Sequence, residues 1–466
     1  MSSTSRNWKP LDDGITGELV LPGSPGYETA RLPAIARFHD ARPQAVVRCA
    51  APADVAETIR FARRSGLPAV PRSGGHCFAG HSSTNDGIVV DVTPMGSVSV
   101  ADGTATIGAG ARLDAVYDTL ERHDRTIPAG CGPTVGIAGL TLGGGLGILG
   151  RTHGLTADSL LAAQVVLADG RVVDCDDHHD QELFWALRGA GAGNFGVVTS
   201  LVFRTLPAPA ATSFHLVWPH THAAAVLDAW QGWAPDAPDE LAASLLLTAA
   251  ADPERPPVVN VFGAMLGSEA DTTTLLEELV ARAGADPTST VLGHRSYRAT
   301  KRHLAEHGPG EERPGGHPFS KSEFFPRPLP TDTVAALVEH LSAGRVAGQS
   351  RELDFTPWGG AYNRVPAHAT AFVHRDARFL LKHGAVVGPD ATAAQRRATR
   401  GWLAASWALV HPWGSGGAYQ NFPDPDLDDW AHAYYGTNLD RLVRVKARYD
   451  PGDFFRFAQS LRAGGE

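Results

Sequence analysis

The chain is poor in cysteine, has no excess of positive charge and lacks a long apolar run. Its 466 residues include 41 Lys and Arg against 50 Asp and Glu, a net charge of −9. Nucleic-acid binding needs clustered positive charge, so we expect no nucleic-acid partner. A membrane-spanning helix needs roughly 18 consecutive apolar residues. Since no segment reaches that length, we also expect no membrane partner.

The cysteines and histidines give no sign of a metal site. No Cys-x-x-Cys pair occurs among the four cysteines, Cys49, Cys77, Cys131 and Cys175, which argues against zinc and thioredoxin-like motifs. The pairs His178-His179 and His220-x-His222 lie in polar stretches without acidic partners at ligand spacing, so we expect surface histidines and no metal. The initial segment MSSTSRNWKPLDDG has no apolar stretch typical of a signal peptide. Together with reduced thiols, this predicts a cytoplasmic protein.

Two common nucleotide-binding motifs are missing as well. A P-loop needs Gly-Lys followed by Ser or Thr, and that triplet does not occur. The glycine-rich segments 143–147 and 189–193 do not fit the G-x-G-x-x-G frame of a dinucleotide-binding fold. The 51 glycines therefore serve another purpose, and their clustering is typical of backbone that must approach a ligand closely.

The length of the chain predicts two lobes, because it exceeds the size at which a single core stops growing. Alternating patterns predict strands at 45–49, 67–71 and 88–92, a helix over 52–65, and hairpins turning at 102–103 and 169–170. After Pro207 the pattern changes to apolar strands and Ala-rich helices, and the polar segment 305–322 predicts a loop. The predicted divisions are a helical lead-in, an α/β domain, a second lobe and a helical C-terminal segment, at 1–40, 41–207, 208–429 and 430–466.

The turn Arg72-Ser73-Gly74-Gly75-His76 follows a predicted strand. Two consecutive glycines can present successive N–H groups to an anion, an arrangement called a nest. Taken alone, this turn leaves two alternatives open: an anion site, or an ordinary glycine turn beside a structural histidine.

Four longer segments, taken in order, resemble one family closely. They are RSGGHCFAGHS at 72–82, PTVGIAGLTLGGGLG at 133–147, LFWALRGAGAGNFGVV at 183–198 and YYGTNLDRLVRVKARYDPGDFF at 434–455. Their sequence and spacing resemble the berberine-bridge-enzyme-like family of the vanillyl-alcohol-oxidase superfamily, whose FAD domain is of the PCMH type. The resemblance covers nearly the whole chain.

The resemblance implies an α+β fold. It implies an FAD-binding domain of two α/β subdomains and a substrate domain with an antiparallel sheet backed by helices. The C-terminal segment is expected to return to the FAD domain.

The resemblance also implies a covalently bound FAD, with the Arg72–His76 loop around the pyrophosphate and His76 bonded to the flavin 8α methyl carbon. Chemistry agrees, because a neutral imidazole can attack an electrophilic methide, and the protein then tunes the redox chemistry of the cofactor. The residues that match cofactor-binding positions are Arg72, Ser73, Gly74, Gly75, His76, Gly80, His81, Ser82, Cys131, Gly132, Thr134, Val135, Gly136, Gly139, Leu140, Gly143, Gly144, Gly145, Gly196, Val198, Tyr435 and Asn438.

Two departures from the family pattern bear on the chemistry. Many members carry a second flavin link, through a cysteine directly before Pro-x-Val-Gly. Here Gly132 holds that place and Cys131 lies one residue earlier. A shift of one residue in a tight turn redirects the side chain, so we predict a single link through His76, with Cys131 as an inert thiol.

The second departure concerns the catalytic base. Many relatives use a tyrosine in a Tyr-x-Asn-Tyr-x-Asp motif, which this chain replaces with Tyr419-Gln-Asn-Phe422-Pro-Asp. Phe422 has no hydroxyl, so the candidate catalytic residues are Tyr419 and Tyr362. Either tyrosine could instead be a wall of the pocket, since a phenol must be perturbed from a pKa near 10 to act as a base at neutral pH.

By resemblance, the expected function is that of an FAD-dependent oxidase. Its small-molecule substrate would be an alcohol, hemiacetal or amine of a sugar or secondary metabolite, oxidised by hydride transfer to the flavin. Molecular oxygen would then be reduced to hydrogen peroxide. Val135 favours oxygen as the acceptor, because valine is the permissive residue at that position in plant relatives. The alternatives are a dehydrogenase with another electron acceptor and a flavin-binding protein without catalysis.

Overall fold

The computed structural model describes residues 6–307 and 316–464, and these form the expected α+β architecture. The strands of the first lobe are β1 (Glu18–Val20), β2 (Ala45–Arg48), β3 (Ala69–Arg72), β4 (Ile88–Asp91), β5 (Val98–Ala101), β6 (Thr104–Gly108), β7 (Arg125–Thr126), β8 (Leu160–Leu167), β9 (Val172–Asp176), β10 (Gly196–Arg204) and β11 (Leu206–Pro207). Its helices are α1 (Lys9–Asp12), α2 (Tyr27–Ala30), α3 (Pro52–Arg64), α4 (Leu113–Glu121), α5 (Ile137–Leu142), α6 (Gly150–His153) and α7 (Gln181–Ala190).

The first sheet has the strand order β1-β2-β4-β3. Strands β2, β3 and β4 are parallel, and β4 is buried along its whole length. This is typical of parallel strands covered on both faces. Helix α3 connects β2 to β3 and turns Val55, Ile59 and Ala62 inward, as the sequence predicted. The carboxyl ends of β3 and β4 therefore lie side by side at one edge.

The second sheet is antiparallel, with the order β5-β6-β10-β8-β9. Its first hairpin turns at Asp102 and Gly103, whose φ angles of 49° and 76° are both left-handed. That geometry belongs to the two-residue turns that match strand twist, and Asp-Gly favours it. Both hairpins predicted from the sequence are confirmed, although β8 and β9 are longer than expected.

The second lobe, residues 208–429, is called the substrate lobe after the domain that the resemblance implies. It contains a seven-stranded antiparallel sheet with the order β15-β12-β14-β13-β17-β18-β16. Its strands are β12 (Ala210–Pro219), β13 (Leu241–Ala249), β14 (Val258–Met265), β15 (Ser289–Ser296), β16 (His317–Phe325), β17 (Gln349–Pro357) and β18 (Phe379–Val387). Its helices are α8 (Ala223–Trp233), α9 (Glu269–Ala283), α10 (Tyr297–His307), α11 (Thr331–Ser342), α12 (Ala361–Arg364) and α13 (Ala393–Val410). Burial alternates strictly along β17, so one face packs on helices and the other is left partly open.

Two predictions made from local sequence differ from the structure. The lead-in, predicted as helical, contains β1, which pairs with β2 and so extends the first sheet. The loop prediction over 305–322 is wrong at both ends, because α10 continues to His307 and β16 begins at His317. The intervening residues 308–315 lie outside the described part of the chain. Within the described ranges, no helix combines the length and apolarity required to cross a bilayer.

The C-terminal segment packs on the first lobe through α14 (Trp430–Tyr435) and α15 (Leu439–Tyr449). The fully buried Lys446 forms an ion pair with Asp450 at 2.6 Å and donates to the carbonyls of Asn194 and Phe455 at 2.7 and 2.8 Å. Asp450 in turn accepts the backbone N–H groups of Phe454 and Phe455. This network holds the end of the chain against the start of β10.

Replacing Lys446 with methionine should lower the free energy of unfolding by about 3–5 kcal/mol, because it leaves Asp450 charged and buried without its cation. Urea denaturation followed by tryptophan fluorescence measures the change. Lys9→Met is the matched control, since its pair with Asp13 is 76% and 62% exposed. We expect that control to stay within about 0.5 kcal/mol of wild type. Equal effects of the two substitutions would contradict the role of the buried pair.

Candidate functional site

A cleft of about 670 Å³ opens at the carboxyl ends of β3 and β4. The Arg72–His76 turn forms its floor, and Arg112 and Thr134 from the second subdomain close its far side. Most enclosed small-molecule sites fall within a range of about 300–1,000 Å³. The predicted first motif therefore lines a cleft of ligand size between the two subdomains.

Two glycine-rich segments meet backbone to backbone at this cleft. A Cβ atom on Gly136 would lie 2.3 Å from the backbone nitrogen of Gly74, and a Cβ on Gly74 would lie 2.3 Å from that of Gly136. Ser73 donates its hydroxyl to the carbonyl of Ala109 at 2.6 Å, which fixes the same turn. Gly75 has a φ of 74°, a conformation that favours glycine. Only glycines permit this approach.

Arg72 stabilises the turn from beneath. Its guanidinium is 4% exposed and pairs with Asp91 at 2.9 Å, and it also donates to the carbonyls of Ala30 and Arg31. Asp91 accepts the backbone N–H and hydroxyl of Thr93. The Arg72 side chain is thus committed to protein groups, and the backbone of the turn is left to face a ligand.

His76 lies half-buried in the wall of the cleft. Its Nε2 is 3.0 Å from the hydroxyl oxygen of Thr134, so the two predicted motifs meet here as well. Burial lowers the pKa of His76, and the nearby positive charge of Arg112 lowers it further. Both effects favour the neutral imidazole, the form in which it can act as a nucleophile.

The second glycine-rich segment also receives the motif that contains the candidate base. A Cβ on Gly143 would lie 2.1 Å from Oδ1 of Asn421, and Asn421 donates to the carbonyl of Leu140 at 2.9 Å. The backbone N–H of Gly145 donates to the Tyr419 hydroxyl oxygen at 3.0 Å, and Asn421 donates to it at 2.9 Å. Gly144, in the left-handed region, packs against Phe372 of the substrate lobe.

The two candidate tyrosines differ in how their hydroxyls are used. The Tyr362 hydroxyl donates to the carbonyl of Gly147 at 3.1 Å, and burial raises its pKa. The Tyr419 hydroxyl oxygen receives two N–H donors, which would stabilise a phenolate, although burial raises its pKa to about 12. The Tyr362 oxygen also accepts the backbone N–H of Gly147 at 3.3 Å, so its hydroxyl is bound to one residue as both donor and acceptor.

Several other predicted cofactor residues have evident packing roles. Gly80 allows the ring of Phe38 to approach, His81 lies against the ring of Phe457, and Ser82 is half-buried beside them. Gly196 lets β10 approach β8, and Val198 is buried in the same sheet. Further from the cleft, Asn194 donates to the Tyr435 hydroxyl and Asn438 donates to the carbonyls of residues 367, 370 and 371.

The turn that carries Cys131 is held from the substrate lobe. Lys301 on α10 is 1% exposed and donates to the carbonyls of Ala129 and Gly130 and to the Cys131 sulfur, the last at 3.7 Å. The thiol of Cys131 therefore points toward Lys301. A Cβ on Gly132 would lie 2.9 Å from a methyl group of Val135.

Sequence reasoning missed several residues of the site, because their contacts appear only in the folded structure. Asp91 pairs with Arg72, Arg112 lies beside His76, and Asn421 bonds to Tyr419. Asn421 stood within the motif already recognised, but Asp91 ends the ordinary strand β4, Arg112 directly precedes α4, and neither carries a local signal.

The residues present fit a flavin. The two glycine segments form a narrow cradle, a Cβ on Gly139 would meet no protein atom within 4 Å, and a neutral imidazole stands at the wall. A two-subdomain α/β lobe with such a cradle, joined to an antiparallel sheet lobe, has the architecture that the resemblance implies for an FAD-binding protein. In agreement, residues 43–176 match the FAD binding domain family and residues 418–462 match the berberine and berberine-like family.

Curated relatives align along almost the whole chain. YgaK of Bacillus subtilis, an uncharacterized FAD-linked oxidoreductase, is 32% identical, and the alignment covers 96% of this chain and 97% of YgaK. The chitooligosaccharide oxidase of Gibberella zeae is 30% identical and covers 98% of this chain and 91% of its own. The chain therefore belongs to the berberine-bridge-enzyme-like family and is an FAD-dependent oxidoreductase.

Solved structures agree with this assignment. The berberine-bridge-enzyme-like protein 1 of Physcomitrella patens has a TM-score of 0.88 at 28% identity and covers 98% of this chain and 99% of its own. The glucooligosaccharide oxidase of Acremonium strictum, described as carrying a 6-S-cysteinyl, 8α-N1-histidyl FAD, has a TM-score of 0.87 at 25% identity. That structure covers 97% of this chain and 99% of its own. The predicted α+β fold is confirmed.

Replacing Gly136 with alanine should separate the two glycine segments and cost about 1–3 kcal/mol of stability, because the new methyl group meets backbone atoms. The ratio of flavin to protein absorbance should fall with it. Gly232→Ala is the control, since a Cβ there meets nothing within 4 Å. A Gly136→Ala protein with wild-type stability and flavin content would show that the contact is dispensable.

Proposed function

We propose that the protein is an oxidase that removes a hydride from a small alcohol, hemiacetal or amine, with FAD attached to His76 and oxygen reduced to hydrogen peroxide. The observation that carries the proposal is the half-buried His76, 3.0 Å from the Thr134 hydroxyl at the wall of a glycine-lined cleft. FAD supplies the hydride acceptor when it is bound. The oxidase assignment is supported by relatives named as oxidases, among them a xylooligosaccharide oxidase at 31% identity.

Thr134 orients His76 for the link. When Nε2–H donates to the Thr134 hydroxyl, the lone pair of Nδ1 is free to bond to the flavin methyl carbon. Burial and Arg112 disfavour the protonated ring, which has no lone pair to donate. An N1-histidyl flavin is described for the glucooligosaccharide oxidase, which supports the same chemistry here.

A single link is proposed because the second position lacks its nucleophile. Gly132 replaces the cysteine at that position, and the thiol of Cys131 lies 3.7 Å from the ammonium of Lys301. Lys301 also donates hydrogen bonds to the carbonyls of Ala129 and Gly130, so the turn resists a rotation that would redirect Cys131.

Tyr419 is proposed to accept the substrate proton. Hydride departs more readily from a carbon whose hydroxyl proton is leaving, and the donors Asn421 and Gly145 stabilise the charge that develops on the Tyr419 oxygen. Phe422 packs edge-to-face on Tyr419 at 5.0 Å and excludes water from the ring.

The cytoplasmic location expected from the sequence stays a prediction.

Acid-precipitated wild-type protein should remain yellow, and His76→Ala should release all of its flavin into the supernatant. The reason is that the imidazole is the nucleophile of the link. Absorbance of the pellet redissolved in denaturant measures the bound fraction. A colourless wild-type pellet would mean that the flavin is not covalently held.

Cys131→Ala should leave the attached flavin and its absorption spectrum essentially unchanged, because the thiol faces Lys301. The same acid-precipitation assay applies, with Cys77→Ala as a matched control. The single-link proposal is wrong if His76→Ala retains flavin and the double variant His76→Ala/Cys131→Ala loses it.

Tyr419→Phe should lower the rate of anaerobic flavin reduction by about tenfold or more at unchanged flavin content, since a base contributes roughly 10²–10⁴ in rate. Because the pKa of Tyr419 is raised to about 12, the wild-type rate should rise with pH from about pH 7 to about pH 10 and the variant should lose this rise. Stopped-flow absorbance with a substrate found by library screening measures both. Phe422→Tyr, the control, should cause no such loss. A variant as fast as wild type would exclude Tyr419 as the base.

A further inference from the structure

The open face of the sheet in the substrate lobe changes from apolar to charged between rows two residues apart. The paired residues Thr356, Leu380 and Phe324 of β17, β18 and β16 form one row. Leu380 and Phe324 of that row are buried in a cluster that includes Leu155 of the FAD domain. Side chains two positions apart share a face, so the next row presents Asp354, Lys382 and Ser322 just beyond this contact.

Three charged side chains occupy this second row and the one after it. The ammonium of Lys382 lies 3.0 Å from Glu352 and 3.6 Å from Asp354, and the three side chains are 18%, 23% and 27% exposed. Gly384, opposite Glu352, leaves room for that side chain, because a Cβ there would lie 2.5 Å from Cγ of Glu352. With both carboxylates ionised, the cluster has a net charge of −1; burial raises the pKa of Asp354, and the ammonium of Lys382 opposes that shift.

The cluster lies beside the candidate base. Ser322, the cross-strand neighbour of Lys382, accepts the backbone N–H of Tyr419 at 3.1 Å. The Lys382 ammonium stands 5.3 Å from the centre of the Phe422 ring. The ring centroids of Phe422 and Phe78 lie 5.9 Å apart in an edge-to-face arrangement, and Phe78 is two residues from His76. A continuous path of contacts therefore connects the cluster to the flavin loop.

We propose that Glu352, Asp354 and Lys382 form a charge filter that makes the substrate side of the site unfavourable to anions. This rests on the proposed function, in which substrate is oxidised between Tyr419 and the flavin. The ammonium holds the two carboxylates in place without cancelling both charges. The carboxylate oxygens accept hydrogen bonds from hydroxyl or ammonium groups and repel carboxylates and phosphates. The preferred substrate is an uncharged polyol or an amine, and acids are rejected.

Sulfite tests the filter without a known substrate. This small anion adds reversibly to oxidised flavin and bleaches its visible absorption, so titration yields a dissociation constant. Glu352→Gln and Asp354→Asn each remove a negative charge and should tighten sulfite binding by about threefold to tenfold. Lys382→Met should weaken it by a similar factor, because it leaves the two carboxylates without their cation.

Glu278→Gln is the matched control, since this exposed carboxylate lies on α9, on the helix-covered side of the sheet. It should leave sulfite affinity unchanged. Flavin absorbance measured beforehand separates the two proposals, because protein without flavin contradicts the proposed function itself. Flavin-containing variants at 352, 354 and 382 that bind sulfite like the control would overturn the filter. The filter would also be overturned if sulfite bleached none of three flavin-containing proteins: the wild type, Glu352→Gln and Asp354→Asn.

Discussion

The backbones of Gly74 and Gly136 touch, and the rest of the site depends on that contact. Any side chain at either position would meet a backbone nitrogen at 2.3 Å. The contact brings the end of β3 against the start of α5, so that His76 reaches Thr134 and the cleft between the two subdomains closes on one side. Glycine is thus required here because of close approach rather than flexibility, and the chemistry of His76 follows from where this approach leaves it.

Close packing at glycines also joins the two lobes. Gly143 leaves room for Asn421, and Gly145 donates its backbone N–H to the Tyr419 hydroxyl. These contacts, with the bond from Asn421 to the carbonyl of Leu140, fix the substrate lobe over the second glycine segment. A buried bidentate pair between Arg375 and Asp158 adds a polar tie across the same boundary, at 2.7 and 2.8 Å. Breaking one partner of such a pair is costly because the other charge stays buried. The position of the proposed base relative to the flavin cradle is therefore set by packing on both sides.

Much of the first lobe could be predicted from the sequence, because its signals are local. The apolar face of α3 and the Asp102-Gly103 turn each express a preference contained within a few residues. The loop prediction over 305–322 was wrong at both ends because glycine and proline content obscured the end of α10 and the start of β16.

The site was only partly predictable. Its motif residues could be recognised by resemblance, but the choice of Tyr419 over Tyr362 depends on which hydroxyl donates to a carbonyl. Lys382 gave no signal, because a single lysine in an apolar strand acquires its meaning only from Glu352 and Asp354 on a neighbouring strand.

Peptide mapping by mass spectrometry can locate the bond that holds the flavin, which we propose to be a single bond at His76. Trypsin should release His76 within residues 73–112 and Cys131 within residues 126–151, since arginine precedes and ends each segment. We expect the mass of FAD on the 73–112 peptide alone, with fragment ions locating it at His76 and with Cys131 free for alkylation. A flavin that joins the two peptides, or a 73–112 peptide that carries none, would contradict it.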